Sequence, residues 1–281
     1  MNPWSINPTW QNFASLYREA AEAREAPNDI SKFHHLTAAL YFGVATIEAF
    51  LNQQMRRSLA ATESEERIFH TLRYTRFVKK FEKWPSTVLG SSPAIAPSTM
   101  DLLRLCNDIR GDLTHPKTSG RDIYGKLESI NPEALVLAVA EYCVRFLEVR
   151  REVFPYWFLG WNYLNPRPNT HEIIVIGGQQ FSYSLCNMGY RVPYFEADRS
   201  EAWRRQNMSS FDGYLRIKEA LDRYGRCEPK HPRFPYMPIL CARWWTEEHY
   251  TSCGHVTQEA IQHVLDAEFP TEALPGRDSS H

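Results

Sequence analysis

The sequence lacks the features that would place it in a membrane or in an oxidising compartment. It has no uninterrupted stretch of about 18 apolar residues, which a membrane-spanning helix needs. Its first ten residues, MNPWSINPTW, lack the basic and then apolar order of a signal peptide. Its six cysteines are spread out and form no CxxC pair, and a chain of this length does not need disulfides. We therefore expect a cytoplasmic protein with reduced thiols.

The chain also lacks an excess of charge of one sign. It has 32 Lys and Arg against 33 Asp and Glu, which gives a net charge of −1. This balance excludes a uniformly basic nucleic-acid-binding protein but allows a local basic patch. Hydrophobic residues make up 43% of the 281 residues, and that content excludes a mostly disordered chain.

Pattern rather than charge divides the chain near residue 155. Residues 1–155 have the apolar periodicity of successive helices, whereas residues 156–281 are dense in Pro, aromatic residues and short segments. We predict a mainly α protein with two domains. A helical bundle occupies residues 1–155, and a smaller mixed α/β or irregular domain, serving recognition or a partner, occupies residues 156–281.

Five helices are predicted in the first domain from apolar periodicity and from start and stop signals. Pro85 is expected to end the third helix, and Asn131 followed by Pro132 is expected to begin the fifth. The second helix is apolar on much of its circumference and is predicted to be central. The predicted helices cover residues 10–26, 32–57 and 63–84, a stretch beginning near residue 99, and residues 132–153.

Predictions for the second domain are fewer. Residues 172–176 (EIIVI) form a predicted strand, and the following Gly177 and Gly178 permit either a hairpin into residues 180–185 or a strand-to-helix turn. Two further helices are predicted, over residues 209–224 and 257–267.

The end of the fourth helix, NDIRGDLTHPK at residues 107–117, carries the candidate chemistry. Arg110 and His115 lie where the helix should end, because Gly111 weakens it and Pro116 moves His115 out of the α region. Histidine can move a proton near neutral pH, and the arginine fork matches a phosphate. The pair therefore suits phosphoryl chemistry without a metal. The alternative is structural, since arginine near a helix C-terminus favours the helix dipole and histidine before proline is a common turn.

The R-x4-H pattern at the end of a helix, inside a bundle of five helices, resembles the HEPN family of ribonucleases and nucleotide-binding domains. A second match is FGVATIEAFLNQ at residues 42–53, which resembles the family's second helix, where a glutamate lies in an apolar run. Glu48 is the matching residue. A buried carboxylate needs a partner, and Arg110 is the expected one. The resemblance covers residues 10–155, and Gly111 departs from it because the family usually has a polar residue after the arginine.

The resemblance implies a metal-independent endoribonuclease that needs no cofactor. The RNA 2′-hydroxyl attacks the adjacent phosphate and leaves a cyclic phosphate, with His115 as general acid or base and Arg110 stabilising the phosphate charge. Glu48 would orient Arg110 or bias the protonation of His115. DNA, which lacks the 2′-hydroxyl, should not be cut by this route.

The family also implies partners and a setting. A homodimer through the bundle would bring two motifs to one cleft, and an antitoxin or regulatory protein would keep a toxin, abortive-infection or stress-defence effector silent. Two alternatives are a catalytically silent HEPN-like nucleotide-binding or protein-interaction module, and a structural scaffold in which Arg110 and Glu48 form an internal ion pair.

A basic stripe on the predicted third helix offers a surface for the RNA backbone. Its members step by three, four and three residues, which places them on one helix face. A solvated helix face is the alternative. Residues on both sides of the histidine are further candidate contacts. The predicted RNA-binding residues are Arg73, Arg76, Lys80, Lys83, Asp112 and Lys117.

Two other patterns are weaker. The strand EIIVI before GGQQFS has no G-x-G-x-x-G, which argues against a dinucleotide-binding unit. A Cys/His group near the C-terminus could hold a structural zinc, but its spacing matches no standard site, and scattered core cysteines and surface histidines are the alternative. No metal is assigned to the candidate catalytic site. The group consists of Cys227, His231, Cys241, Cys253, His255 and His263.

Overall fold

The computed structural model describes residues 7–115, 122–160, 163–164, 174–175 and 197–224. The chain divides into two compact units, Met1–Glu152 and Val153–His281. The described residues are mainly helical, as predicted. None of the described helices is both long enough and apolar enough to cross a bilayer.

The described part of the first unit contains seven α-helices rather than the predicted five. One extra helix arises because the predicted third helix is two helices, and the other, α6, was not predicted. The helices are α1 (Pro8–Arg24), α2 (Asp29–Leu59), α3 (Glu65–Tyr74), α4 (Phe77–Leu89), α5 (Pro97–Thr114), α6 (Ile123–Glu128) and α7 (Pro132–Val149).

The core of the first unit lies around α2 and α7. Helix α2 packs against α1, α4, α5 and α7, so the predicted central position of the second helix is confirmed. Leu40 and Ile47 of α2 are fully buried, as are Val139 and Tyr142 of α7. Cys106 of α5 and Cys143 of α7 are also buried in this core as free thiols.

Asparagine side chains begin three of the helices. Asn7 accepts a hydrogen bond from the Trp10 backbone N–H, and Asn28 begins α2 in the same way. Asn131 accepts from two backbone N–H groups at the start of α7, and Pro132 takes the first helical position. The predicted start of the fifth helix is therefore confirmed, although the helix ends at Val149 rather than at residue 153.

The predicted third helix, over residues 63–84, is wrong as a single element. Thr75 and Arg76 have extended backbones, with ψ angles of 124° and 148°. They separate α3 from α4. The basic stripe that one continuous helix would have formed is therefore divided between two helices and the link between them.

Pro85 lies inside α4 and does not end it. A proline has no backbone N–H, so the carbonyl four residues earlier, that of Phe81, loses its helical donor. The Tyr142 hydroxyl of α7 donates to this carbonyl at 2.8 Å. Contact with α7 thus satisfies the group that a proline in an isolated helix would leave unpaired.

Helix α5 begins at Pro97, held by a carboxylate from another helix. Glu141 of α7 accepts a hydrogen bond from the Ala96 backbone N–H at 3.0 Å and another from the Thr99 hydroxyl. Glu141 and Thr99 are buried. Helix α7 therefore fixes the start of the helix that carries the candidate motif.

The described part of the second unit is small. A 3-10 helix (Tyr156–Leu159), α8 (Ala197–Asn207) and α9 (Phe211–Tyr224) accompany two short strands, β1 (Tyr163–Leu164) and β2 (Ile174–Val175). The strands pair antiparallel, with Tyr163 opposite Val175.

Helix α9 agrees with the predicted helix over residues 209–224 except at its start. Its Tyr214 is fully buried and donates to the Phe158 carbonyl at 3.1 Å. Residues 180–185, where either a hairpin or a strand-to-helix turn was possible, the predicted helix over 257–267 and the Cys/His group lie outside the described residues.

Candidate functional site

The candidate motif lies at the C-terminal end of α5. The His115 backbone N–H still donates to the Gly111 carbonyl at 2.9 Å, but His115 itself, with φ −136° and ψ 74°, leaves the helix. Arg110 therefore lies in the last turns of α5, and the exposed His115 ends the helix.

Arg110 is half-buried against an aromatic ring. Its Cζ lies 5.3 Å from the centroid of the Phe77 ring, at the start of α4. Phe77 stacks on Phe81, with centroids 5.7 Å apart, and Phe81 stacks on Tyr142, with centroids 5.0 Å apart. The guanidinium thus caps a column of three rings. The donors of a guanidinium lie in its own plane, so contact with a ring face does not use them.

Glu48 does not pair with Arg110. Its Oε1 lies 2.7 Å from Lys80 Nζ, in a pair whose lysine side chain is 3% exposed and whose glutamate side chain is 33% exposed. The expected Glu48–Arg110 ion pair is therefore wrong, and the scaffold alternative loses the contact on which it was argued. Among the described residues, no carboxylate lies within ion-pair distance of Arg110.

The break between α3 and α4 explains why Glu48 pairs with Lys80 and not with Arg110. A continuous helix over residues 63–84 would expose Lys80 as part of a basic stripe. In the structure α4 has its own direction, and Lys80 is buried against α2, with its Nζ 5.4 Å from the Trp84 ring centroid. A buried ammonium needs a counter-charge, and Glu48 provides it.

Tyr41 joins the site and was missed from the sequence. Its hydroxyl lies 2.8 Å from Thr114 Oγ1, and the Thr114 hydroxyl donates to the Arg110 carbonyl at 2.7 Å. Because Thr114 has one hydroxyl proton, Tyr41 must be the donor in the first bond. The pair fastens the last turn of α5 to α2. The available signal was the seven-residue spacing between Tyr41 and Glu48, which places both on one face of α2.

Asp112 is not a surface contact. It is 8% exposed, and its Oδ2 lies 3.4 Å from Lys126 Nζ of α6. Little of Asp112 is therefore open to an RNA chain, and its carboxylate pairs with Lys126, so RNA binding by Asp112 stays an untested prediction. Lys117 lies outside the described residues. Gly111 is exposed, and no described atom lies within 4 Å of the place where a Cβ would stand.

Three of the four residues of the predicted basic stripe are exposed. Arg73 lies on α3, Arg76 in the link and Lys83 on α4, whereas Lys80 is buried and paired with Glu48. The structure thus separates Lys80 from the other three. Among the described residues, no carboxylate lies within ion-pair distance of the three exposed cations.

A second titratable cluster lies between α1 and α2. Glu19 is buried, and its carboxylate oxygens lie 2.8 Å from His35 Nδ1 and 2.8 Å from an Arg18 guanidinium nitrogen. Burial raises the pKa of the Glu19 carboxyl, but hydrogen bonds from His35 and Arg18 outweigh it, so the pKa lies below the usual 4.5. Sequence reasoning missed this cluster, whose members lie on different helices.

No group of three or more metal-ligating side chains occurs among the residues that the structure describes. Comparisons with protein-family models, with curated proteins and with solved structures find no match for this chain.

Proposed function

We propose that the chain is a metal-independent endoribonuclease whose site is Arg110 and His115. One observation carries the proposal: Arg110 has no carboxylate at ion-pair distance among the described residues, and an exposed histidine ends the same helix. The buried Lys80 ammonium is compensated by Glu48, whereas the charge of Arg110 is not compensated by a described carboxylate and its donors can meet a phosphate. The resemblance of the R-x4-H motif to HEPN ribonucleases supports the same assignment.

The proposed reaction is an internal transesterification. The RNA 2′-oxygen bonds to the adjacent phosphorus, the bond from phosphorus to the 5′-oxygen breaks, and the products carry a 2′,3′-cyclic phosphate and a 5′-hydroxyl. His115 takes the proton from the 2′-hydroxyl or gives one to the leaving 5′-oxygen. Arg110 donates to the non-bridging phosphate oxygens, on which negative charge gathers.

Two protons move in this reaction, and one motif has one histidine. A homodimer that brings two motifs to one cleft would supply both an acid and a base. We propose such a dimer through the helical bundle, in keeping with the family resemblance. Sedimentation of the full chain tests it, and a chain that remains monomeric while cutting RNA would refute it.

A catalytically silent binding module is the second candidate. Gly111 favours it, because the position after the arginine has no side chain and is open to solvent. In either case we propose a role as a toxin or a defence effector, with an antitoxin or regulatory protein as partner.

Cleavage of a mixed pool of tRNA and mRNA in EDTA tests the proposal. We expect wild type to cut and to leave cyclic-phosphate ends, and we expect His115→Ala to reduce the rate by about 10²–10⁴-fold, because a positioned proton carrier is lost. Arg110→Ala should reduce it by about 10²–10³-fold.

A matched control is His34→Ala, because His34 is an exposed histidine on α2. It should cut as wild type does. Cleavage that needs a divalent cation, or that survives in His115→Ala, would refute the proposed site. Binding of RNA or nucleotide without cleavage would favour the silent module.

A further inference from the structure

Helix α3 presents aromatic rings to solvent. Of the ten residues of α3, all of them described, Ile68 alone is buried. Phe69 is 52% exposed and Tyr74 is 64% exposed. Large aromatic side chains are usually covered in a folded protein, and two exposed ones that share a neighbouring cation on one short helix form a candidate interaction surface.

Cationic and aromatic groups alternate on this surface. The Arg73 guanidinium lies between the two rings, with its Cζ 5.5 Å from the Phe69 centroid and 5.7 Å from the Tyr74 centroid. The His70 ring lies 4.5 Å from the Tyr74 ring. Such an arrangement holds the rings in place while leaving them accessible.

The charge is positive on the C-terminal side of Phe69. Residues 68–83 contain five Lys and Arg but one acidic residue, Glu82, whereas Glu65 and Glu66 lie in the first turn of α3. Glu82 pairs with Arg104 at 3.4 Å, and the buried Lys80 is neutralised by Glu48. The remaining cations are exposed, and no described carboxylate lies within ion-pair distance of them. They are Arg73, Arg76, Lys79 and Lys83.

We propose that this stacking surface, formed by Phe69, Tyr74 and the four exposed cations, binds single-stranded RNA. Aromatic rings stack on unpaired bases, and neighbouring cations neutralise the phosphates. The bases of a duplex are already stacked on one another and cannot reach the rings. The four uncompensated cations favour a polyanion over an apolar or basic protein partner.

The stacking surface leads to the proposed catalytic site. Tyr74 and Phe77 are separated by two residues, so their Cα atoms lie at most about 11 Å apart. Phe77 carries the Arg110 guanidinium on its ring. A strand stacked on Tyr74 would therefore pass within a few nucleotides' reach of Arg110. This assignment of single strands as the substrate rests on the proposed ribonuclease, but binding is tested without cleavage.

The test measures binding of a fluorescein-labelled oligo-uridine to the full chain carrying His115→Ala, by anisotropy in EDTA. Adding Phe69→Leu and Tyr74→Leu should raise Kd by about tenfold or more, because stacking on each ring is lost. Tyr74→Trp should keep the affinity of the parent. Tyr124→Leu is the matched control, because Tyr124 is 67% exposed on α6, and it should leave Kd unchanged.

The dependence of Kd on salt concentration distinguishes the contribution of the rings to binding from that of the cations. Four phosphate contacts on a single strand predict a slope of log K against log salt concentration of about −2.8. Each change of Arg76, Lys79 or Lys83 to Gln should reduce its magnitude by about 0.7. The two ring variants should lower K and leave the slope unchanged. Single-stranded DNA of matching sequence should bind like RNA, and a duplex should bind more weakly.

Three results would overturn the stacking surface. They are an equal loss of affinity in Tyr124→Leu, equal affinity for duplex and single strand, and self-association through Phe69 and Tyr74 without RNA binding. If wild type cuts RNA but the ring variants bind normally, the surface is wrong and the ribonuclease stands. If the rings are needed for binding but wild type never cuts, the surface stands and the ribonuclease fails.

Discussion

Lys80, between α2 and α4, and Arg110, at the end of α5, are both cations beside an aromatic ring, yet they differ in partner. Lys80 is buried, with Glu48 at 2.7 Å. Arg110 is half-buried, and none of the described carboxylates lies at ion-pair distance from it. Apolar surroundings therefore do not distinguish a structural cation from one that is free to bind a ligand. A carboxylate partner distinguishes them, because it shows that the charge is already compensated within the protein.

Removing the carboxylate from the buried pair gives the largest expected effect on stability. Glu48→Gln should lower the free energy of unfolding by about 2 kcal/mol, because the Lys80 ammonium is left in the interior without a counter-charge while the 33% exposed Glu48 site admits some solvent screening. Denaturant unfolding measures it. Glu66→Gln is the control, because Glu66 is exposed, and it should change stability by no more than about 0.5 kcal/mol.

Replacing the whole pair should restore what the single change removes. Glu48→Gln together with Lys80→Met leaves no charge at this position and keeps an unbranched chain against Trp84. If the double variant is as unstable as Glu48→Gln alone, the loss does not come from an unpaired ammonium, and the contrast with Arg110 fails.

Glu19 provides a smaller effect that depends on pH. Its pKa is below 4.5 in the folded protein, so its contribution to stability is present above the unfolded value and is lost as the pH falls through the folded value. Glu19→Gln should therefore lower the thermal midpoint at neutral pH and flatten the decline of that midpoint in acid. An unchanged acid decline would show that the cluster with Arg18 and His35 does not stabilise the fold.

Arg110→Met tests the second cation of the comparison, which has no carboxylate partner among the described residues. It should lower the free energy of unfolding by no more than about 1 kcal/mol, which is the value of a partly exposed cation–π contact with Phe77. The rate of RNA cleavage by Arg110→Met should be as low as that of Arg110→Ala. A stability loss as large as that of Glu48→Gln would make Arg110 a structural cation too.

Gly111→Ala gives the smallest expected effect, and it is a gain. An added Cβ meets no described atom within 4 Å, and alanine loses less conformational entropy than glycine in a helix. The free energy of unfolding should rise by about 0.5 kcal/mol. A loss in the same unfolding measurement would show that the end of α5 needs the freedom of glycine.

Elements with local signals could be predicted from the sequence. Asn131 and Pro132 define the start of α7 within a few residues, and Gly111 and Pro116 mark the end of α5 beside His115. Each signal acts through its own backbone, so neighbouring helices do not need to be known.

Elements decided by contacts between helices could not be predicted. Neither Thr75 nor Arg76 is a glycine or a proline, so the sequence gives no local signal for the break between α3 and α4. Pro85 predicts a helix end, but the Tyr142 hydroxyl of α7 satisfies the Phe81 carbonyl that the proline leaves without a donor within α4. The pairing of Glu48 follows from that break, because Lys80 is buried against α2 after it.

The two buried thiols, Cys106 and Cys143, allow the opening of the bundle to be measured by thiol labelling. Burial raises the pKa of Cys106 to about 12 and raises that of Cys143 well above its ordinary value. The thiolate is the form that reacts with an alkylating reagent, so both cysteines become labelled only when the core around them opens. The rate of alkylation at each cysteine, measured by mass spectrometry of the peptides, therefore reports the rate at which the core opens. It does not report fraying confined to α3.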